Sequence, residues 1–410
     1  MGNALIKQAG SGGTKIKFKN YGGPTLEKRE VEELSKGRYE FAATSVGDYA
    51  LFGGGYNNGS VLSNVDAYST NLTHSTPTAL DERRHRFTAT ANQSYALFGG
   101  GERYNSGTNY YPNVDAYNSD LVHSTAADLS EGRSYLAATT VGDYSLFAGG
   151  NLPGVSVDAV GNSLRGTYSS DKVDAYDDNL AQSTATALSL DRASLVATTV
   201  GEHAIFVSGS KWSGSGGNGV RNVDAYSGSL VHSTPADVTY YGYAAATAVE
   251  DYALFGASSN TRVDVYNISL VKLTPVNLSY NKYNFAATTV KNFALFGGGR
   301  NSNGGLSKVE GFDNNLVLHQ FEDLSVARST LAATTVSNYA LFGGGYSSKY
   351  EATVDCYEYV EKDLELTLLK GAKYKFQNMS NEITVTEDFS TISIPSPATG
   401  YVKFKNTTIS

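Results

Sequence analysis

The stretch AATSVGDYALFGGG, at residues 42–55, decides the fold, because it recurs almost letter for letter as AATTVSNYALFGGG at residues 332–345. Five further copies lie between these two, and each is centred on a phenylalanine. The seven phenylalanines, at intervals of 41 to 59 residues, are Phe52, Phe98, Phe147, Phe206, Phe255, Phe296 and Phe342. Self-similarity at this period predicts a repeat architecture.

Each copy contains the pattern of two short strands joined by a tight turn. In the first copy these are FAATSV at residues 41–46 and YALFG at residues 49–53, with Gly47 and Asp48 between them. Gly and Asp tolerate the positive φ that hairpin turns need. A third strand follows as VDAY at residues 65–68 and a fourth as LTHSTPTAL at residues 72–80. Four antiparallel strands per copy, without a sustained 3.6-residue apolar period, predict an all-β, seven-bladed β-propeller.

The repeated order of residues resembles the kelch motif. An arginine precedes AATTVG, the second strand ends as LFGGG, and an aromatic residue closes VDAY. The resemblance covers residues 30 to 360, and its sevenfold repetition makes it specific for the fold, which it implies is a kelch-like propeller. This sequence departs from the motif because HST stands where a Trp usually follows the third strand, and Trp212 lies in a loop.

The repeat divides the chain into three parts. We predict an N-terminal leader and strand over residues 1–25, the propeller over residues 26–361, and a small β module over residues 362–410. TKIKFKN at residues 14–20 resembles YKFQN at residues 374–378 and YVKFKN at residues 401–406. The N-terminal strand therefore either joins the C-terminal module or is an independent strand of like composition.

The seventh copy has only three strands of its own, and unpaired sheet edges promote aggregation. We predict that Glu30–Leu34 supplies its fourth strand, with Val360–Leu366 as the alternative.

Composition excludes several classes of partner. The net charge of −8 argues against nucleic acid. No apolar run reaches the ~18 residues of a membrane span, and the first residues lack a signal-peptide core. We therefore expect no nucleic acid partner, no membrane insertion, no signal peptide, and a virion-associated or cytoplasmic location.

Side chains capable of catalysis or metal binding recur at fixed repeat positions. His74, His123 and His232 share one position, so they are spread over different copies and cannot converge on one ion. The acid of VDAY recurs in six copies, which indicates a structural role, such as bonding a neighbouring turn. We predict no catalytic residue, no metal and no cofactor.

One Arg or Lys opens the first strand of six copies, and we expect these residues at a channel mouth, in either a structural or a ligand-binding role. They are Arg38, Arg84, Arg133, Arg192, Lys282 and Arg328.

The loops between the second and third strands vary widely in length, whereas the opposite turns hardly vary. These loops combine aromatic and basic residues with Gly, Ser and Asn, which is the composition of a recognition surface. The predicted ligand-binding residues are Tyr56, Tyr104, Tyr110, Tyr111, Arg165, Tyr168, Trp212, Arg221, Arg300, Tyr346 and Tyr350.

Three functions remain open at this point. The leader NALIKQAGSGG is similar to the openings of tail-associated proteins in phages and prophages of Gram-positive gut bacteria. That resemblance implies a non-catalytic module that binds a host cell-surface glycan or protein receptor, with tail or baseplate proteins as further partners. The alternatives are an intracellular kelch-type adaptor for protein partners and a glycan-active enzyme, for which no acid/base pair is visible.

Overall fold

The structure is a computed structural model, and it describes residues 17–20, 24–104, 108–157, 163–214, 216–361, 364–368, 373–374, 383–384 and 390–394. These residues form β-strands and connections without a helix, which confirms the all-β prediction. Accordingly, the described part of the chain offers no helix with the length and hydropathy needed to cross a membrane.

The described residues of the repeat form small antiparallel sheets, six with four strands and one with six, in a propeller-like arrangement. We number them sheets 1 to 7 along the chain. Their first strands are Ala42–Val46, Thr88–Ala91, Ala137–Val141, Val196–Val200, Tyr243–Val249, Ala286–Val290 and Ala332–Val336. Their second strands are Tyr49–Asn57, Tyr95–Gly99, Tyr144–Ala148, His203–Gly214, Tyr252–Ala257, Phe293–Gly297 and Tyr339–Gly343.

The third and fourth strands complete each sheet. The third strands are Ser60–Ser69, Val114–Asn118, Val173–Tyr176, Gly216–Ser227, Asn260–Asn267, Val309–Asp313 and Val354–Val360. The fourth strands of sheets 1 to 6 are His74–Ser75, His123–Thr125, Gln182–Thr184, His232–Ser233, Val276–Lys282 and Leu318–Gln320. Most of them are much shorter than the LTHSTPTAL pattern predicted, because the chain leaves the sheet soon after the histidine position.

Five of the predicted variable loops contain paired strands: in sheets 1 and 4 the second and third strands themselves extend into the loop, and three other loops contain separate hairpins. Glu102–Tyr104 pairs with Thr108–Tyr110, and Arg300–Asn301 pairs with Gly304–Gly305. Asn151–Val157 pairs with Ser163–Ser169, which also pairs with the long second strand of sheet 4. The hairpin formed by Asn151–Val157 and Ser163–Ser169 adds two strands to sheet 4, which therefore has six.

Neighbouring sheets pack face to face through a repeated Phe–Gly contact. A Cβ placed on Gly53 would lie 3.0 Å from the Phe98 ring of sheet 2, and one on Gly343 would lie 3.0 Å from the Phe52 ring. In five sheets the residue after this phenylalanine is a glycine, which leaves room for the ring of a neighbouring sheet, whereas Ala148 and Val207 occupy the position in sheets 3 and 4. The first strand of sheet 1 contacts the first strands of both sheet 2 and sheet 7.

Threonine pairs also link the first strands of neighbouring sheets. The Oγ1 atoms of Thr90 and Thr140 lie 2.8 Å apart, and those of Thr288 and Thr335 also lie 2.8 Å apart. This explains why the small side chains of AATTV include threonines: they satisfy hydrogen bonds between sheets.

The prediction that Glu30–Leu34 forms the fourth strand of sheet 7 is wrong. Thr25–Arg29, five residues earlier, pairs with Val354–Val360. Lys28 and Arg29 form ion pairs there with Asp355, at 3.0 Å, and with Glu358. Residues 30–34 lie outside the strand and lead back to the sheet, where the Leu34 N–H donates to the Ala352 carbonyl at 2.8 Å. Lys28 and Arg29, rather than the acidic run that follows them, thus contact the third strand of sheet 7.

A second group of strands lies outside the repeat. Lys17–Asn20 pairs with Leu364–Leu368, which also pairs with Ser390–Ile394, and Lys373–Tyr374 pairs with Ile383–Thr384. The alternative closing strand Val360–Leu366 is therefore wrong, because residues 364–366 belong to this sheet.

The chain divides into two compact units, Met1–Glu27 with Tyr359–Ser410, and Lys28–Glu358. The leader at residues 1–13, the strand predicted at residues 401–406, and residues 375–378 lie outside the described residues.

Candidate functional site

The Arg residues that open the first strands are fully buried and form ion pairs with the acids of the third strands. Arg133 Nη2 lies 2.6 Å from Asp174, and Arg328 Nη2 lies 2.8 Å from Asp355. Each also donates to the carbonyl of the phenylalanine in its second strand, as Arg133 does to Phe147 at 3.0 Å. Of the two roles that the sequence left open for these arginines, their burial supports the structural one.

The same acids also accept hydrogen bonds from the chain that enters the first strand of their own sheet. The Ser35 N–H donates to Asp66 Oδ1 at 2.7 Å, and the Ser189 N–H donates to Asp224 Oδ1 at 2.8 Å. Burial would raise the pKa of Asp224, but Arg192, the Ser189 N–H and His232 outweigh it and hold that pKa below its ordinary value. The expected role of the VDAY acid in bonding a neighbouring turn is therefore observed.

The histidines of the repeat serve the same acids. His123 Nε2 lies 2.7 Å from Asp115, and His232 Nε2 lies 2.6 Å from Asp224. Asp81, Asp115 and His123 lie within 4.8 Å of one another and are the one group of metal-ligating type found among the described residues. Asp115 already binds Arg84 and His123 there, so this group serves the fold.

These ion pairs fix two residues that follow each buried Arg or Lys, and we call these residues the loop-edge pairs. They are Tyr39–Glu40, His85–Arg86, Ser134–Tyr135, Ala193–Ser194, Tyr283–Asn284 and Ser329–Thr330. The first residue of each forms a bridge with the loop after the second strand, as Tyr39 does with Tyr56. The second residue has a positive φ, between 54° and 56°, in all six pairs.

The loop-edge pairs are joined from sheet to sheet. The Arg86 N–H donates to the Glu40 carbonyl at 3.0 Å, and the Tyr135 N–H donates to the Arg86 carbonyl at 2.9 Å. Backbone geometry is thus repeated while the side chains differ in every sheet. A fixed frame that presents variable side chains is what a recognition surface requires.

Six aromatic side chains on sheets 7, 1 and 2 form a continuous row, which we call the aromatic strip. Its members are, in order, Tyr346, Tyr350, Tyr39, Tyr56, His85 and Tyr104. Successive ring centroids lie between 5.5 and 5.7 Å apart. Tyr346 and Tyr104, at its two ends, are 39% and 57% exposed. The strip therefore offers aromatic surface to solvent on a rigid base.

Arg86 holds polar groups beside the end of this strip. Its guanidinium lies 2.9 Å from Glu40 and 2.7 Å from Glu102, and it donates to the Tyr104 hydroxyl at 2.9 Å. The Tyr135 ring lies 5.0 Å from the guanidinium carbon. Burial would raise the pKa of Glu40, but hydrogen bonds from His85 and Arg86 lower it overall. Both carboxylates are thus held in place as hydrogen-bond acceptors.

The structure brings together only some of the residues predicted to bind ligand. Tyr56, Tyr104, Tyr346 and Tyr350 belong to the aromatic strip. Tyr110 is paired opposite Glu102, and burial raises its pKa. Tyr111 lies next along the chain and donates its N–H to the Gly101 carbonyl at 2.9 Å.

The remaining predicted residues lie on sheets 3 to 6. Tyr168 and Trp212 occupy paired strands, where the Trp212 N–H donates to Ser169 Oγ at 2.7 Å. Arg221 lies over Tyr241, and Arg300 lies over Tyr283. Arg165 is part of the strand Ser163–Ser169, but its side chain lies outside the described part.

Several loop cations are neutralised by nearby carboxylates. Lys211 lies 2.6 Å from Asp191, Lys308 lies 2.8 Å from Asp323, and Lys349 lies 3.6 Å from Glu351. Arg86 is likewise held between two carboxylates. Ion pairs with these acids therefore offset part of the positive charge of the loops.

The sequence analysis missed six members of this site: Tyr39, Glu40, His85, Arg86, Tyr135 and Glu102. All but Glu102 lie one or two residues after a buried arginine. One signal was available: within the recurring frame of Arg, two residues and an apolar residue, the two central residues differ in each copy.

Comparison with known proteins gives no further assignment, since no protein-family model matches this chain and no curated protein matches it in sequence.

Proposed function

We propose that residues 28–358 form a closed, seven-bladed, kelch-like propeller that acts as a non-catalytic recognition module. Two observations support this architecture. The phenylalanine of the second strand is paired opposite the acid of the third strand in every sheet, as Phe52 is with Asp66 and Phe342 with Asp355. Contacts between first strands also continue from sheet 7 to sheet 1.

The module binds a glycan at the aromatic strip, and the strip itself is the observation that carries this proposal. The C–H face of a sugar ring packs on aromatic side chains, while a few fixed polar groups bind its hydroxyls and orient it. The exposed rings of Tyr104 and Tyr346 supply the aromatic surface. Glu40, Glu102 and Arg86 supply the polar groups, already fixed by their mutual ion pairs.

The same carboxylates favour binding over hydrolysis. A general acid in a glycosidase needs a raised pKa. The pKa of Glu40 is instead lowered, and Glu102 accepts hydrogen bonds from both Arg86 and Ser134. A cell-surface glycan as the target and a tail-like particle as the setting remain part of the proposal. The leader sequence that suggests that setting lies outside the described residues.

A glycan array probed with the full chain tests this function. We expect binding to a restricted set of glycans, and an affinity loss of about fivefold for Tyr104→Ala or Tyr346→Ala, because each removes one stacking surface worth about 1 kcal/mol. Asp48→Ala is the matched control, since Asp48 is exposed in the turn between the first two strands of sheet 1. Unchanged binding in both tyrosine variants, or a loss in Asp48→Ala alone, contradicts the site. A chain that binds no glycan but captures a protein indicates the adaptor function instead.

A further inference from the structure

Sheet 5 departs from the pattern that the other sheets share. Residues 240–243, YYGY, contain neither the Arg nor the Lys that is buried at this point elsewhere. Its acid, Asp264, is bonded instead by Arg262 Nε at 3.1 Å, while Lys272 Nζ, at the position of the fourth-strand histidines, lies 3.7 Å from it. Departures from a consistent local pattern are expected at functional sites, where stability is exchanged for another property.

The departure exposes two aromatic rings. Tyr241 is 62% exposed and Tyr240 is 39% exposed. The guanidinium of Arg221 lies 6.0 Å from the Tyr241 ring, and that of Arg262 lies 5.9 Å from the Tyr240 ring. A Cβ placed on Gly219 would lie 2.6 Å from the Tyr241 ring, so this ring packs directly on the backbone of the glycine-rich third strand of sheet 4.

The connection between the second and third strands is also shorter in sheet 5 than in sheets 4 and 6. From the phenylalanine to the acid there are 9 residues in sheet 5 (264 − 255), against 18 in sheet 4 (224 − 206) and 14 in sheet 6 (310 − 296). On the sheet 6 side, Arg300 lies 5.6 Å from the Tyr283 ring. A depression near this point is lined by Ser259, Asn281, Lys282, Tyr283, Asn301 and Ser302.

Arg221 and Arg300 differ from the other loop cations because, in the described part of the chain, their recorded side-chain contacts are with tyrosine rings alone. Both are exposed. A guanidinium that lies over an aromatic ring keeps its in-plane N–H donors, which match a carboxylate or phosphate with two parallel hydrogen bonds. Because the whole chain carries −8, an acidic polymer would be repelled without such a local site.

We propose that the loop edge of sheet 5, with Tyr240, Tyr241, Arg221 and Arg300, binds the acidic groups of a polyanionic glycan. This inference rests on the proposed function and specifies its ligand. Sugar rings of the polymer pack on the exposed tyrosines, and its phosphate or carboxylate groups bind the two arginines. The aromatic strip on sheets 7, 1 and 2 binds uncharged sugar rings.

Binding of the full chain to three immobilised polymers tests the proposal: poly(glycerol phosphate), polygalacturonate and dextran. We expect binding to at least one of the acidic polymers and a loss of about tenfold or more in Arg221→Gln and Arg300→Gln. Lys291→Gln is the matched control, because it removes the same charge from an exposed turn at the opposite end of sheet 6. Preference for phosphate or for carboxylate then identifies the acidic group. Binding should also weaken as salt rises toward about 0.5 M.

Two outcomes overturn the proposal. One is the absence of binding to both acidic polymers; the other is an equal loss in Arg221→Gln, Arg300→Gln and Lys291→Gln, which indicates only general charge attraction. Both arginines are exposed, so melting temperatures should be unchanged and misfolding is easily recognised. Failure of the Tyr104→Ala and Tyr346→Ala variants to affect the glycan array contradicts the aromatic strip instead, and leaves the result for the arginines intact.

Discussion

The Nζ atom of Lys282 lies 3.8 Å from the Glu310 carboxylate in sheet 6, at the two positions where five other sheets pair Arg with Asp. The shorter base is thus matched by a longer acid. Lys282 also donates to the Phe296 carbonyl at 3.0 Å, as the arginines do to their own phenylalanines. Burial nevertheless lowers the pKa of Lys282 from 10.5 to about 8.

Lys282 should make the protein more stable as the pH rises. Between pH 8 and 10.5 the unfolded lysine holds a proton that the folded one has lost, so the free energy of unfolding increases with pH. A tenfold change in proton affinity is worth about 1.4 kcal/mol, so the gain is roughly 3 kcal/mol. Lys282→Arg should abolish this difference, because arginine stays protonated. Urea unfolding of both proteins across this range measures it, and equal pH dependence would contradict the assignment.

Acid should destabilise the protein through the buried aspartates. The pKa of Asp224 is held below 3.8 despite its burial, chiefly by Arg192. Since the unfolded carboxyl binds a proton first as pH falls, stability present above about pH 4 is lost at lower pH. Asp224→Asn should cost about 3–5 kcal/mol at neutral pH by leaving Arg192 unpaired, and should show less acid dependence. Urea titrations between neutral and acid pH distinguish the two proteins. If Asp224→Asn leaves the pH dependence unchanged, groups other than Asp224 cause the loss of stability in acid.

Replacing one residue of a loop-edge pair should stabilise the chain. Thr330 has a φ of 56°, which is unfavourable for a β-branched residue, whereas Asn tolerates it. Asn284 occupies the same position in sheet 6 with a φ of 54°. Thr330→Asn should therefore raise the free energy of unfolding by about 1 kcal/mol, measured by urea denaturation. Asn284→Thr is the reciprocal variant and should lower it by a similar amount. The prediction is wrong if both changes shift stability in the same direction.

Removing the N-terminal strand should weaken sheet 7. A chain that begins at residue 31 loses the strand Thr25–Arg29 and its ion pairs with Asp355 and Glu358. Its melting temperature should fall by several degrees or more, because a sheet edge and part of the core become exposed. A chain that begins at residue 24 keeps this strand and serves as the control. Equal melting temperatures of the two truncated chains would show that Thr25–Arg29 contributes nothing to stability.

The sequence by itself determined the first three strands of each sheet, their order and the turn between the first two. Repetition of AATTV, LFGGG and VDAY carries this information because strand pairing and tight turns depend on residues that are near in sequence. It also indicated that the third-strand acid is structural. The fourth strand of sheet 7 was misplaced by five residues, since its contacts, such as Lys28 with Asp355, join residues some 330 positions apart in the chain.

The tertiary structure alone decided which side chains form the candidate site. Each buried arginine pairs with an acid 27 to 41 residues later in the chain, and this pairing depends on the folded sheet, which no local pattern encodes. The aromatic strip draws Tyr350, Tyr39 and Tyr104 from three sheets, and its members become neighbours only when those sheets pack together. Local residue preferences determine elements of structure, whereas a binding surface arises from contacts between elements far apart in the chain.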